Sequence, residues 1–117
     1  MKDLIKKLET ATEDQQEELI LEALQFAYDR DWIVLRTHSL ATAWVRSGAY
    51  LSAAMVLVPE GWFTYKVLQA VYHPYKWLWN LQVFGTSKQA EGVALYPATA
   101  LTIAAMKAHG VNKDSSP

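Results

Sequence analysis

Two strand-like runs in the second half of the chain limit its fold more than any other feature of the sequence. Residues 62–71 and 75–84 are rich in aromatic and β-branched side chains and alternate between two faces, as β-strands do. Between them lie Tyr72, His73 and Pro74, which have the composition of a turn. The pattern predicts an antiparallel hairpin, and therefore a fold in which helices pack on a small sheet.

Strict alternation assigns the side chains of each run to two faces of the sheet. In the second run, one face carries Trp77, Trp79, Leu81 and Val83. We expect a helix to cover that apolar face. In the first run, one face carries Phe63, Tyr65, Val67 and Val71, and the other carries Trp62, Thr64, Lys66, Leu68 and Ala70. Since that other face is mixed rather than polar, both faces of the sheet are expected to be partly covered.

Helical patterns occupy the chain before the hairpin. Leu4 and Leu8 indicate a first helix, and a capping box over residues 12–15 begins a second helix that is expected to run to about residue 28. A short third helix is expected from Ser39, as its N-cap, to residue 46, and a fourth over residues 49–58, stopped by Pro59. For residues 32–35, periodicity does not distinguish a short strand from the start of a helix.

After the hairpin, a third strand is expected around residues 91–95, followed by a final helix over residues 97–109. Pro97 is typical of a first helical residue, and Gly110 of a C-cap. We therefore predict one α+β domain over residues 1–110. In it, a small antiparallel sheet of about three strands is sandwiched or covered by the N-terminal helices and the C-terminal helix. Residues 111–117 are predicted to form a disordered tail.

The composition limits the chemistry and the compartment of the protein. The chain contains no Cys, which excludes disulfides, thiolate nucleophiles and Cys-ligated zinc. Its first residues lack the apolar stretch of a secretory signal, and no apolar segment reaches the roughly 20 residues that cross a bilayer. Residues 1–31 hold nine acidic and four basic residues, whereas the remainder holds three acidic and seven basic ones. We expect a cytoplasmic protein with two oppositely charged faces and no membrane contact.

The strong catalytic signatures are missing from the sequence. There is no Gly-rich phosphate loop, no His-Glu-x-x-His pair, no nucleophile elbow and no calcium loop. His38, His73 and His109 are isolated at expected loops or helix ends, where we interpret them as surface or capping residues. No spacing brings them together with carboxylates, so no metal site is predicted. The sequence assigns no catalytic residue and no cofactor.

An aromatic and basic cluster around the expected hairpin is the most suggestive surface feature. Exposed rings beside Lys bind single-stranded nucleic acid, because bases stack on the rings and phosphates meet the charges. The competing interpretation is that the rings belong to the core and the Lys side chains flank it. If Trp77 and Trp79 turn inward, the candidate contacts that remain are Lys66, Tyr72, Tyr75 and Lys76.

Three segments of the chain resemble the phage ABA sandwich domain family. They are residues 4–12 (LIKKLETAT), 57–62 (LVPEGW) and 97–102 (PATALT) with the Ala-rich helix that follows. Residues 29–48 have no clear counterpart in the family. The resemblance implies an α/β sandwich encoded in phages or prophages, located in the cytosol of the bacterial host. It implies no catalytic residue, because the molecular function of the family is not established.

These observations lead to one functional hypothesis and two alternatives. The first is a non-catalytic phage or prophage accessory protein that acts by contacting another macromolecule, for which the expected partner is an unknown protein or a second copy of the chain. Self-association is expected because the chain is rich in Trp and Tyr and a three-stranded sheet leaves free edges. The alternatives are a module that binds single-stranded nucleic acid through the hairpin, and a small enzyme with an unrecognised site in a cleft between helix and sheet.

Overall fold

The computed structural model describes residues 1–69 and 76–114, with their side chains up to Val111. Within these residues, five α-helices and three strands follow one another. Their bounds are α1 Lys2–Glu9, α2 Gln16–Asp29, α3 Leu35–Arg46, α4 Tyr50–Met55, β1 Trp62–Gln69, β2 Trp77–Val83, β3 Gln89–Ala94 and α5 Pro97–Asp114. The strands form one antiparallel sheet in the order β1-β2-β3. The α+β class and the three-stranded antiparallel sheet are therefore confirmed.

Helix α5 is the centre of the molecule. It packs against β3 and β2 on one side and against α1, α2 and α4 on the other. Every residue from Ala98 to Met106 is buried, as expected of a helix that is surrounded by other elements. Two of these residues are polar, and each satisfies its hydroxyl within the helix: Thr99 donates to the Tyr96 carbonyl at 3.0 Å and Thr102 to the Ala98 carbonyl at 2.8 Å.

The close approach of α5 to the sheet depends on a glycine in β3. A Cβ added at Gly92 would lie 2.7 Å from the Ala104 nitrogen and 3.0 Å from the Ile103 Cβ, and it would collide with the Ala100 carbonyl oxygen. Backbone atoms of a packed helix cannot move aside as a side-chain tip does. Only glycine at position 92 therefore lets α5 rest on the strand at this distance.

The N-terminal helices close the other side of α5 with apolar stripes. Leu8, Ile20, Leu24 and Val45 are buried to 1% exposure or less. The turn between α1 and α2 is the expected capping box, in which the backbone N–H of Thr12 donates to the Gln15 side-chain oxygen at 3.0 Å. This arrangement produces three layers: the sheet, α5, and the N-terminal helices.

Three predicted helix boundaries are wrong. Helix α3 begins at Leu35, with Val34 in an extended N-cap conformation, so Ser39 lies inside the helix and residues 32–35 contain no strand. Helix α4 ends at Met55 and turns cover the remaining residues before Pro59. Helix α5 continues through Gly110 to Asp114, because Val111 still packs against the core. Gly110 is therefore an interior helical residue, and residues 111–114 of the predicted tail are helical.

His109 is not the surface or capping residue that its position suggested. Its ring stacks on the indole of Trp32, with centroids 4.0 Å apart and planes 3° from parallel. Its Nε2 lies 2.8 Å from the Leu57 carbonyl oxygen, which accepts only, so Nε2 carries the proton and donates. Burial lowers the pKa of His109 below its usual value, and the bond to Leu57 offsets this only in part.

Candidate interaction surface

Strand β1 is the most exposed element of the sheet. Among the described residues it pairs with β2 alone, and every residue of the strand after Trp62 is exposed. The exposed residues include four large apolar side chains: Phe63 at 40%, Tyr65 at 59%, Val67 at 38% and Leu68 at 39%. Single exposed apolar residues are ordinary on protein surfaces, but four on one edge strand are an unusual concentration. We call residues 63–69 the β1 edge.

A bulge changes the faces that strict alternation assigned to β1. Thr64 lies opposite Leu81 but Lys66 lies opposite Asn80, so one extra residue, Tyr65, is inserted between them. Beyond the bulge the register moves by one residue. Lys66 and Leu68 consequently share the outer face with Phe63, whereas Val67 lies opposite Trp79 on the face that points toward α5. The predicted grouping of Phe63 with Val67, and of Thr64 with Lys66, is therefore wrong.

The tryptophans of β2 turn inward, as the alternation predicted. Trp79 is 7% exposed and Leu81 is fully buried, while Trp77 and Val83 are partly buried against the core. The indole N–H of Trp79 donates to the Thr64 hydroxyl at 3.2 Å, so its polar group is satisfied across the strand pair. The Trp79 and Leu81 face is core and offers no stacking platform to a nucleic acid.

Of the four sequence-predicted contact residues, the structure places two. Lys66 is exposed on the outer face of β1, and Lys76 is half-buried just before β2. Tyr72 and Tyr75, together with the expected turn, lie outside the described residues. Lys66 pairs with Asn80, four residues along β2 from Lys76, so the two lysines are about 13 Å apart along the strand. The described part of the hairpin does not bring them together into one site.

The outer face of the sheet carries charges of both signs. Lys66, Asn80 and Glu91 lie in one row across the three strands. Asn80, only 2% exposed, donates from Nδ2 to the side chains of Gln89 at 3.3 Å and Glu91 at 3.4 Å. A lysine and a glutamate flanking a hydrogen-bonded amide do not form the basic stripe that a polyanion needs. This row therefore combines both signs of charge around one hydrogen-bonded amide.

The outer face is only partly covered: Asn80 is buried and Leu78 and Val93 are half-buried there, whereas large apolar residues stay exposed. In the described chain, helix α5 packs on the face that carries Gly92, and Gly92 lies opposite Trp79. Phe63 and Leu68 stay exposed on the other face, and Phe84, which follows β2, is 87% exposed. Sequence reasoning missed Leu68 as a surface candidate because the bulge that redirects it leaves no mark in the alternation.

Comparison with protein families, with curated proteins and with solved structures finds no match for this chain. Within residues 1–69 and 76–114, no three His, Asp or Glu side chains gather in a way that would hold a metal ion. None of the helices described has both the length and the apolar character needed to cross a bilayer. The choice of β1 as the candidate functional surface therefore depends only on the geometry of the strand.

Proposed function

We propose that the protein is a non-catalytic accessory protein that acts by binding another polypeptide along the β1 edge. In this proposal it is a phage or prophage accessory protein, like the family whose sequence motifs it resembles, and it works in the cytosol of the bacterial host. One observation carries the proposal: an eight-residue strand, paired on one side only, presents four exposed large apolar side chains.

The physical basis is strand addition to the sheet. An edge strand presents unpaired backbone N–H and C=O groups, which a second extended chain can pair with while its side chains contact the apolar residues of the edge. Edge strands that avoid such pairing are short, or carry charges, prolines or bulges. In β1 the bulge at Tyr65 and the single charge of Lys66 protect its first half, and residues 67–69 have neither a charge nor a proline.

Two partners fit this surface, a host or phage protein and a second copy of this chain. In both, β1 would extend the three-stranded sheet across the interface. Sedimentation velocity over a range of protein concentrations separates them. A dimer that forms in the purified protein supports self-association, and a monomer at all concentrations assigns the edge to a different polypeptide.

The central test compares two double variants that make the same chemical change at different places. Tyr65→Lys with Leu68→Lys puts charges on the β1 edge, and Leu40→Lys with Leu51→Lys puts charges at apolar positions of α3 and α4 that are 49% and 43% exposed. Each variant is used, beside the unmodified protein, to capture partners from host cells that carry the same genetic element. We expect the β1 variant to lose a partner, or the dimer, that the helix variant retains.

Two results would contradict the proposal. One is equal recovery of the same partner by both variants, which would place binding away from β1. The other is salt-dependent binding of a labelled single-stranded oligonucleotide that falls when Lys66 and Lys76 are changed to Gln, since phosphate contacts by lysine produce that dependence. The second result would assign the hairpin to nucleic acid, the alternative that the sequence raised.

A further inference from the structure

A cavity of about 430 Å³ lies between the end of α2 and the end of α5, and no β1 residue lines it. Its volume falls within the range of small-molecule sites, about 300–1,000 Å³. The residues that line it are Met1, Phe26, Arg30, Trp32, His109 and Gly110. Three of the six are aromatic or imidazole rings and one is a cation.

The rings of the cavity are held in place by contacts of their own. Trp32 stacks on His109 at 4.0 Å, and Phe26 meets Trp32 edge-on, with centroids 5.5 Å apart and planes at 63°. The backbone N–H of Trp32 donates to the Ala27 carbonyl at 2.9 Å. The turn that delivers Trp32 needs Asp31 at φ 61°, a left-handed conformation that costs a residue with a side chain about 1 kcal/mol. The wall is therefore formed before any ligand arrives.

Arg30 carries a positive charge at the cavity without an acidic partner among the described side chains. Its guanidinium carbon lies 3.4 Å from the centroid of the Phe26 ring, which holds it by a cation–π contact. The adjacent carboxylate of Asp29 accepts instead from the Gln25 amide at 2.8 Å. The one ion pair among the described residues joins Lys7 and Glu22. The donors of Arg30 are therefore available to an anion.

His109 adds a hydrogen-bonding group of the opposite kind. Because Nε2–H donates to the Leu57 carbonyl, Nδ1 of the neutral ring is an acceptor, and no partner for it is found among the described residues. No Ser, Thr, Asp or Glu side chain accompanies His109 in the lining. These groups suit binding rather than bond cleavage, which needs a nucleophile or a second acid–base group.

We infer that this cavity binds a small planar aromatic carboxylate, whose anionic group pairs with Arg30 and whose ring packs against Phe26 and Trp32. One guanidinium balances the charge of one carboxylate and can donate two parallel hydrogen bonds to it. The rings supply the flat apolar contact. This site is separate from the β1 edge, so the two proposals stand or fall independently.

The test uses 2-naphthoate as the probe and its neutral analogue, 2-naphthamide, as the ligand control. Binding is followed by amide and indole NMR shifts in the full chain. Arg30→Gln removes the charge at the cavity, and Arg46→Gln makes the same change at an exposed position at the end of α3, away from the cavity. Both residues are exposed, so both variants are expected to fold.

We expect naphthoate to shift the indole N–H signal of Trp32 and the amide signals near His109. Naphthamide should bind about tenfold more weakly, Arg30→Gln should weaken naphthoate by a similar factor, and Arg46→Gln should leave it unchanged. Equal affinity for the two probes, equal behaviour of the two variants, or no shift at Trp32 up to the solubility limit of naphthoate would each overturn the inference.

Discussion

Replacing Gly92 with Ala tests the packing that organises the whole molecule, the contact of α5 with β3. The added methyl group would lie 2.7 Å from the Ala104 nitrogen and closer still to the Ala100 carbonyl oxygen. Carbon and nitrogen in contact need more than 3 Å, so the helix and the strand must separate by about 1 Å along their interface. Since α5 also contacts α1, α2 and α4, that displacement disturbs both layers around it.

The cost follows from the size of the displacement. Overpacking of a core typically costs about 1–3 kcal/mol, and a clash with two backbone atoms of a packed helix belongs at the top of that range or above it. We therefore expect Gly92→Ala to lower the free energy of unfolding by about 3 kcal/mol or more. In urea, with a slope of about 1.5 kcal/mol per M, the midpoint would fall by about 2 M.

Gly110 provides the matched control for this change. It lies within α5 as well, but a Cβ there would meet only the Met1 Cε at 3.6 Å, an ordinary contact distance. Gly110→Ala is expected to raise the free energy of unfolding by about 0.5–1 kcal/mol, because alanine favours the helix interior. Urea unfolding followed by circular dichroism measures both variants. If Gly92→Ala lies within 1 kcal/mol of the unmodified protein, the close contact of α5 with β3 is refuted.

Two further predictions use other parts of the same packing. Leu81→Ala is expected to lower the free energy of unfolding by about 2–5 kcal/mol because Leu81 is fully buried, whereas Leu68→Ala should lower it by less than about 1 kcal/mol because Leu68 is 39% exposed. Similar urea midpoints for the two variants would contradict the assignment of sheet faces. Burial lowers the pKa of His109 from 6.5, so the unfolded chain takes up this proton at a higher pH than the folded chain. Stability should therefore fall as pH drops below about 6.5, and His109→Gln should reduce that dependence; an unchanged pH profile in the variant would argue that His109 is solvated in the folded chain.

The sequence was sufficient for elements that have strong local signals. The capping box at Thr12 and the alternation around Trp79 each depend on a few neighbouring residues, and the structure contains both features. The α+β class and the antiparallel sheet follow from these signals. Helix α3 shows the limit, because it begins at Leu35 after Val34, an extended N-cap residue whose side chain makes no capping hydrogen bond. Such a start is set by tertiary packing, which propensities do not contain.

The candidate sites were harder to predict than the helices and strands, because they depend more on tertiary structure. The bulge at Tyr65 reverses the faces of the residues after it, and one extra residue in a strand has no signature in a pattern of mixed side chains. His109 and Trp32 are far apart in the sequence and meet only because α5 crosses α2. Gly110 was predicted to end its helix because glycine is common at helix C-termini. In this protein Val111 packs on the core and the helix continues past Gly110.

The most direct measurement of the central claim is amide hydrogen exchange of the protein alone and in complex with the polypeptide it captures from host cells, or with itself if it dimerises. We predict that the amides of residues 62–69 that do not pair with β2 exchange readily in the free monomer and gain protection in the complex, while α3 is unchanged. Protection that develops elsewhere, with β1 exchanging as before, would show that the exposed edge of the sheet is not where this protein makes its contact.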